Sequence, residues 1–498
     1  MRDMLLAARR RRSHLSGVGL LYCGLACAPS LPGPEGARPT ALRPDTLWPS
    51  PAVPGRPGPQ PRVERSLPLE IAARRTALTL EDVIALALQG SPDTRASWAQ
   101  ARAQAAAYGA ARGEWFPEVM GEASATQIKT TATQGRTAVR QTVYEPSFSF
   151  TWLLLDLGGR GGGITAARNT LLAAGWTHNA TLQGVVASTA GAFFDYAAAK
   201  ALVAAQQTTL REAELSLAAA EERRRVGVAT IADVLQARTA AAQSRLVLQL
   251  FEGNVLTTRG ALAAATGFPA TLDYDIDTSV VSAPVAVLAE EIDTLIATAL
   301  RERPDLAALR AEYDAARGRI RAASGQRRPS LTAGGTAGLN FRSGQSGGYG
   351  SYNLTLGLQI PLFNGFIWEY NQQQAEAEAE VALARADGLE QQVIYQVFQS
   401  YYFLRTATGR VATAEELLTS ATASAAAARG RYQGGVGSLL ELLSAENALA
   451  AARAQRIQAR LGWQGALVQL ARDAGLLDLQ GKSPLRLAPA SALPDSPQ

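Results

Sequence analysis

One long segment of this chain occurs twice. Ser91-Pro92-Asp93 to Trp115-Phe116-Pro117 recurs as Arg303-Pro304-Asp305 to Arg327-Arg328-Pro329, with the two prolines 25 residues apart in both copies and an offset of 212. Further on, Arg223, Val226-Gly227-Val228, Thr230, Asp233, Leu235, Leu262 and Gly267 return as Arg431, Gly434-Gly435-Val436, Ser438, Glu441, Leu443, Leu470 and Gly475, now at an offset of 208. A self-match of about 200 residues means a duplicated domain-sized unit and excludes a solenoid of short repeats.

Prolines mark the plan of each copy. The 122 residues between Pro146 and Pro269 contain none, nor do the 122 between Pro361 and Pro484. Both stretches are rich in alanine, the strongest helix former. Sevenfold spacing runs through them, in Val203, Leu210 and Leu217 and again in Val397, Leu404, Val411 and Leu418. It continues through Val234, Ala241, Leu248, Val255 and Leu262, and through Leu442, Leu449, Arg456, Trp463 and Leu470. Sustained sevens predict helices packed side by side as coiled coils. Each stretch breaks once, at Val226-Gly227-Val228-Ala229-Thr230 and at Gly434-Gly435-Val436-Gly437-Ser438. Glycine closes a helix and Ser or Thr opens the next, so each half predicts a helical hairpin with a tight tip.

A strand pair precedes each hairpin. Val119, Gly121, Ala123 and Ala125 alternate with Glu122, Ser124 and Thr126, and Phe148, Phe150 and Trp152 with Ser147, Ser149 and Thr151. In the second copy Leu331, Ala333, Gly335 and Ala337 precede the run Leu354, Leu356, Leu358 and Ile360. Period-two patterns of about ten residues, apolar on one side only, suit membrane β-strands. Open strand edges are not tolerated in a bilayer, so several copies must close a barrel. The fold class is mainly α with membrane β: a duplicated unit of two strands followed by a long helical hairpin.

The amino terminus has a separate grammar. Arg2 and Arg9 to Arg12 precede a short apolar stretch, Leu15 to Ala26. This reads as a secretory signal peptide. The same five arginines, against Asp3, supply most of the formal charge of +5, so the basic balance does not argue for nucleic acid. Cys23 and Cys27 are the only cysteines, which excludes a disulfide framework or thiolate metal site in the body. Gly24-Leu25-Ala26-Cys27 resembles a lipoprotein cleavage box, which makes Cys27 the candidate acylation site, an anchor and not a span. Residues 29–61 hold 11 of the 24 prolines and predict an extended tether. The expected plan is a signal at 1–26, an anchor and Pro-rich linker at 27–77, and a first repeat at 78–285 with strands near 118–157 and a hairpin near 164–267. A second repeat follows at 286–476, with strands near 330–363 and a hairpin near 366–475, and then a flexible tail at 477–498.

This order of elements resembles the outer-membrane efflux protein family, the TolC-like exit ducts. The matching motifs are Trp152 to Arg160 (WLLLDLGGR) and Ile360 to Phe366 (IPLFNGF), with Pro92-Asp93, Pro304-Asp305 and the Gly-Val tips. The resemblance implies a homotrimer whose copies each give four strands to one twelve-stranded barrel in the outer membrane, continuous with a periplasmic α-barrel. Gly158, Gly159, Pro361, Asn364 and Gly365 then stand at the strand-to-helix junctions. Val226, Gly227, Val228, Thr230, Gly435, Val436 and Ser438 form tips that meet a periplasmic adaptor, which joins the duct to an inner-membrane pump of the RND type. The periplasmic constriction falls at Leu440, Ser444 and Asn447, with Glu441 and Glu446 near it as charges that face either the lumen or bulk solvent. Relatives often carry aspartate and arginine where Ser444 and Asn447 stand, so a salt-linked lock is not expected here. The alternatives are a duct for protein secretion and a coiled-coil stalk.

The sequence gives no support to an enzyme. Gly158-Gly159-Arg160-Gly161-Gly162-Gly163 follows a strand and invites a dinucleotide reading, but no acidic residue stands about 20 positions on and the second copy keeps only Asn364-Gly365. Those glycines read instead as a bend from strand to helix. His14 and His178 are the only histidines, and His178 is alone on a long helix. No cofactor, metal or nucleic-acid partner is expected.

Overall fold

The computed structural model describes residues 75–130, 139–279, 286–478 and 487–489. The signal, Cys27 and nearly all of the linker lie outside them. The first repeat runs α1 (Leu80–Gly90), α2 (Pro92–Gly113), β1 (Glu118–Thr130), β2 (Val139–Leu155), α3 (Gly159–Arg225) and α4 (Ile231–Ala265). The second runs β3 (Ala286–Leu288), α5 (Ile292–Glu302), α6 (Pro304–Gly325), β4 (Ser330–Arg342), β5 (Gly348–Gln359), α7 (Ile367–Gln433) and α8 (Leu439–Asp473). A last strand, β6 (Leu487–Pro489), pairs antiparallel with β3. Part of the segment expected to be a free tail is therefore held by main-chain pairing.

Local chemistry sets the helix starts. Thr79 forms a capping box with Asp82, and Ser91 accepts from Asp93 N ahead of Pro92. In the second copy Arg303 replaces Ser91 and gives no side-chain cap. It instead donates from Nε and Nη2 to Asp305 at 3.0 and 2.6 Å and from Nη1 to Gln396 Oε1 at 2.7 Å, binding the α5–α6 corner to α7. The outgoing helices α3 and α7 have 67 residues each and the returning α4 and α8 have 35 each. At about 1.5 Å per residue the outgoing arms are on the order of 100 Å long.

The four long strands make one antiparallel sheet in the order β1-β2-β4-β5, so β2–β4 joins the two repeats and β1 and β5 are its edges. One face carries Phe148, Trp152, Tyr352, Leu354 and Leu356, all exposed. The other carries Glu122, Ser124, Ser147, Ser149 and Asn353, as the alternation predicts. On the apolar face the strands alternate in size. Small residues of β1 and β4 lie beside large ones of β2 and β5, with Gly121 opposite Phe148 and Gly335 opposite Phe150 and Leu354. A Cβ at Gly335 would lie 2.6 Å from Phe150 and 2.8 Å from Leu354. No helix among the described residues is long and apolar enough to cross a membrane.

The second hairpin buries Val397, Leu404 and Val411 as its sevenfold pattern predicts. The first follows it on its returning arm, where Val234, Ala241 and Leu262 are buried, but not on its outgoing arm. Val203, Leu210 and Leu217 are only half-buried, and the buried line is Leu202, Gln206, Thr209, Ala213, Ser216 and Ala220. This line sits one residue from the expected one, because its polar members find partners. Gln206 Nε2 donates to Ser244 O at 3.0 Å, Thr209 Oγ1 to Ala205 O at 3.2 Å, and Ser216 to Glu446.

Helix α3 begins at Gly159, ahead of the expected 164, so Gly161, Gly162 and Gly163 are helical despite their low propensity. Packing on α6 explains why. A Cβ on Gly162 would fall 2.4 Å from Ala322 N, one on Gly318 2.7 Å from Ala166 N, and one on Gly325 2.2 Å from Gly159 Cα. Gly159, Gly162, Gly318 and Gly325 let two backbones touch, whereas Gly161 and Gly163 meet nothing within 4 Å, and the turn itself is made at Leu157 and Gly158, with φ 50° and 110°.

Candidate functional site: the hairpin tips and the groove between the returning helices

Both tips share one construction. α3 ends at Val226, Gly227 takes φ 81°, and Thr230 caps α4 through a box with Asp233. In the second tip Gly434 ends α7, Gly435 takes φ 75°, and Ser438 Oγ accepts from Glu441 N at 3.1 Å. Left-handed backbone at these two positions requires glycine. With caps and turn satisfied internally, the apolar side chains are left outside: Val226, Val228 and Val436 are exposed, Val436 at 75%. Arg223 holds the two tips together. It donates from Nη1 to Tyr432 O at 2.6 Å and lies 4.8 Å from the centre of the Tyr432 ring.

Leu440, Ser444 and Asn447 share one face of α8, as their spacing predicts. They line an open groove of about 680 Å³ against Leu235, Gln236, Thr239 and Gln243 of α4. No ionisable side chain lines it. Glu441 is turned from the groove and pairs with Arg431 at 3.3 Å. The lining offers dispersion contacts, hydroxyls and amides, and no cation site.

Glu446 is neither a lumenal charge nor a solvated one. It is 8% exposed between α3, α7 and α8. It accepts from Ser216 Oγ at 3.1 Å and Arg429 Nη2 at 3.1 Å. Arg429 also approaches Glu212 at 4.0 Å, and Glu212 receives both Arg453 Nη atoms at 2.8 and 3.1 Å. Burial raises the Glu446 carboxyl above its ordinary value, with Arg429 and Ser216 pulling it down and Glu212 adding to the rise. Further along the same two helices, Glu415 takes Arg456 Nε at 2.9 Å and Arg460 Nε at 2.8 Å. This network, which links the first hairpin to both arms of the second, escaped sequence reasoning. Its one visible signal was Arg456 standing in a run of apolar sevenfold positions.

Gly158 and Gly159 open α3, where Arg160 is buried, donates to Glu114 O and Leu153 O at 2.9 and 2.7 Å, and stacks 3.8 Å from the Trp115 ring centre. Before α7, Gly365 and Phe366 both take positive φ, and Asn364 Oδ1 accepts from Trp368 N at 3.5 Å. Pro361 lies just past the end of β5. His178, in turn, contacts Ser97 Oγ at 2.8 Å and joins no nucleophile–base–acid set among the described residues.

Two strand pairs in one sheet, each feeding a long hairpin, define the class of bacterial outer-membrane ducts that join a β-barrel to a helical barrel. The outer membrane protein VceC of Vibrio cholerae shares this fold, with a TM-score of 0.70 and 22% identity over 80% of this chain and 96% of that one. The Campylobacter jejuni CmeC outer membrane channel shares it at 0.71 and 19% identity, over 81% and 86%. The outer membrane efflux protein family matches residues 83–268 and 295–476, and the chain belongs to that family. Among similar proteins, Protein CyaE of Bordetella pertussis is 29% identical over 398 residues, 78% of this chain and 81% of that protein. The probable efflux pump outer membrane protein TtgC of Pseudomonas putida is 26% identical over 404 residues, 80% and 82%. The chain is an outer-membrane transport duct and not an enzyme.

Proposed function

We propose that three copies of this chain form one passive exit duct for small molecules, delivered by an inner-membrane pump of the RND type through a periplasmic adaptor. The observation that carries this reading is the open sheet. β1 and β5 leave their edges unpaired within one chain, and a bilayer does not tolerate open edges. Pairing β5 with β1 of the next copy continues the alternation of large and small strands without a break. Eight strands make a barrel that side chains fill, so two copies give no passage and three give the smallest open one.

In this reading the exposed apolar tips at Val226, Gly227, Val228, Thr230, Gly435, Val436 and Ser438 dock the adaptor. Leu440, Ser444 and Asn447 form the periplasmic constriction, with Glu441 at its margin. Residues 1–26 direct export, Cys27 carries lipid, and the proline-rich segment tethers it to the body. The efflux-pump names of several relatives support small-molecule cargo over protein cargo.

The test is export of a fluorescent cationic dye from a host lacking its own duct but carrying a compatible adaptor and pump. The full chain should restore export. Gly435→Asp, which puts a charge in the tip turn, should yield assembled protein without export. Export at the full level by Gly435→Asp would contradict the docking assignment, and secretion of a protein substrate without dye export would reassign the cargo.

A further inference from the structure

The apolar face of the sheet carries charge at one place only. By the register, this face takes the odd-numbered residues of β1 and β4 and the even-numbered ones of β5 and of β2 up to Trp152. Among the described residues of that face only Lys129 and Arg140 are charged, and both are exposed. They stand directly opposite each other on β1 and β2. Arg140 Nη2 donates to Gln127 Oε1 at 3.4 Å, a diagonal contact that fixes the guanidinium on the same face.

No acid of the sheet answers these two bases. Glu118, Glu122 and Glu145 are the acids of the four strands, and all three lie on the opposite face, where Glu145 accepts from Asn340. β4 and β5 contain no acidic residue, and neither do the connecting segments 131–138 and 343–347. Like charges directly opposite on a sheet are destabilising. A lysine on an edge strand is a common guard against stray pairing, but β2 is an interior strand, so edge protection does not account for Arg140. The pair lies at the end of the sheet away from the helices. Tyr144, Phe341 and Tyr352 mark the rim of the apolar band there, as an aromatic girdle does, and all three are exposed. Arg140 is four residues past Tyr144, about 13 Å along the strand, which carries it beyond the band to the level of headgroups. The other end of the face, at Val119, Leu155, Leu331 and Leu358, has no charge.

We propose that Lys129 and Arg140 bind the phosphate of a glycolipid headgroup in the outer leaflet. A phosphate monoester brings close to two negative charges and three acceptor oxygens. The arginine fork takes two of those oxygens and the lysine ammonium a third. Gln127 holds the guanidinium through its side-chain oxygen and keeps its amide nitrogen as a further donor. The acyl chains of the same lipid then continue down the apolar band past Tyr144 and Phe148. The anion removes the repulsion between the two bases, and the site exists at one end of the face only. The proposal rests on the duct reading, because the far end of the sheet meets the outer leaflet only if the helices extend into the periplasm.

The test is native mass spectrometry of the full-length protein in detergent, with diphosphoryl lipid A, fully dephosphorylated lipid A or inorganic phosphate added. The unaltered protein should retain the diphosphoryl lipid at least about tenfold better than the dephosphorylated one. Lys129→Gln with Arg140→Gln should abolish that preference. Arg342→Gln, which removes a base on the opposite face at the same rim, should leave it unchanged. Equal retention of the two lipids by the unaltered protein overturns the site without recourse to any variant. So does a preference that survives the double substitution, or that inorganic phosphate at an equal concentration removes. The same spectra count the copies. Assembled protein with no phosphate-dependent retention overturns the lipid site and leaves the duct standing. A monomer overturns the duct and, with it, the orientation on which the site rests.

Discussion

Arg223 on the first hairpin and Tyr432 on the second are joined twice, by a 2.6 Å hydrogen bond to the tyrosine carbonyl and by stacking on its ring. The bond meets the last carbonyls of α7, where a cation is favoured. Arg223→Ala removes both contacts and should loosen the tips while leaving the rest of the helices intact. The expected cost is about 1–2 kcal/mol, from one charged hydrogen bond and one cation–π contact. Hydrogen exchange should quicken at residues 226–230 and 434–438 and stay unchanged at the α3–α6 crossing.

Gly162 and Gly163 test whether the glycines of the junction serve packing or bending. Gly162→Ala pushes a methyl into the α6 backbone and should destabilise by about 1–3 kcal/mol, the usual range for overpacking. Gly163→Ala meets nothing within 4 Å in the chain and should stabilise α3 by up to about 1 kcal/mol through helix propensity. Thermal loss of helicity in the two variants should therefore shift in opposite directions. Equal losses would favour the bend.

Glu446 and Glu415 should respond to acid with opposite signs. The raised Glu446 carboxyl binds its proton more tightly in the folded chain than its ordinary 4.5, so its contribution is greatest below 4.5 and falls as pH rises toward the raised value. For Glu415 burial alone would raise the carboxyl, but the hydrogen bonds and charges of Arg456 and Arg460 outweigh burial and hold it below 4.5. Its contribution is present above 4.5 and is lost as pH falls through the lowered value. Glu446→Gln keeps an acceptor for Ser216 and should change stability at pH 7 by no more than about 1 kcal/mol. Glu415→Gln should be the more harmful at pH 7 and become neutral in acid. Stability measured for both variants from pH 3 to pH 8, about the span over which carboxylates titrate, decides the signs.

The uncharged lining of the proposed constriction predicts a channel that polyvalent cations do not plug. Conductance of the reconstituted duct should be unaffected by a trivalent cobalt complex added from the periplasmic side. Ser444→Asp would place a ring of carboxylates in the groove and should create such a block. A block of the unaltered protein would show that charged groups reach the lumen there.

The order of elements was legible because its signals are local. Gly435 and Ser438 announce a turn and a cap, and Phe148, Phe150 and Trp152 announce a face, whatever surrounds them. The tips and the groove face of α8 were read for the same reason, since spacing alone puts Leu440, Ser444 and Asn447 together. The core of the outgoing arm of the first hairpin was read one residue out, because buried Gln206 and Ser216 look like surface until their partners on other helices are known. Glu446 was misplaced for that reason too: its partners, Ser216 and Arg429, lie on two different helices. Gly162 was assigned to a bend because the chain segment it touches, on α6, lies in the other repeat.

In the proposed assembly, copies of this chain close into one hollow three-fold duct. Electron microscopy of the detergent-extracted full-length protein tests it most directly. The expected result is a three-fold particle with a continuous central channel, in which β5 of each copy pairs with β1 of the next. A monomer with a free sheet edge, or an assembly with no channel along its axis, would contradict it.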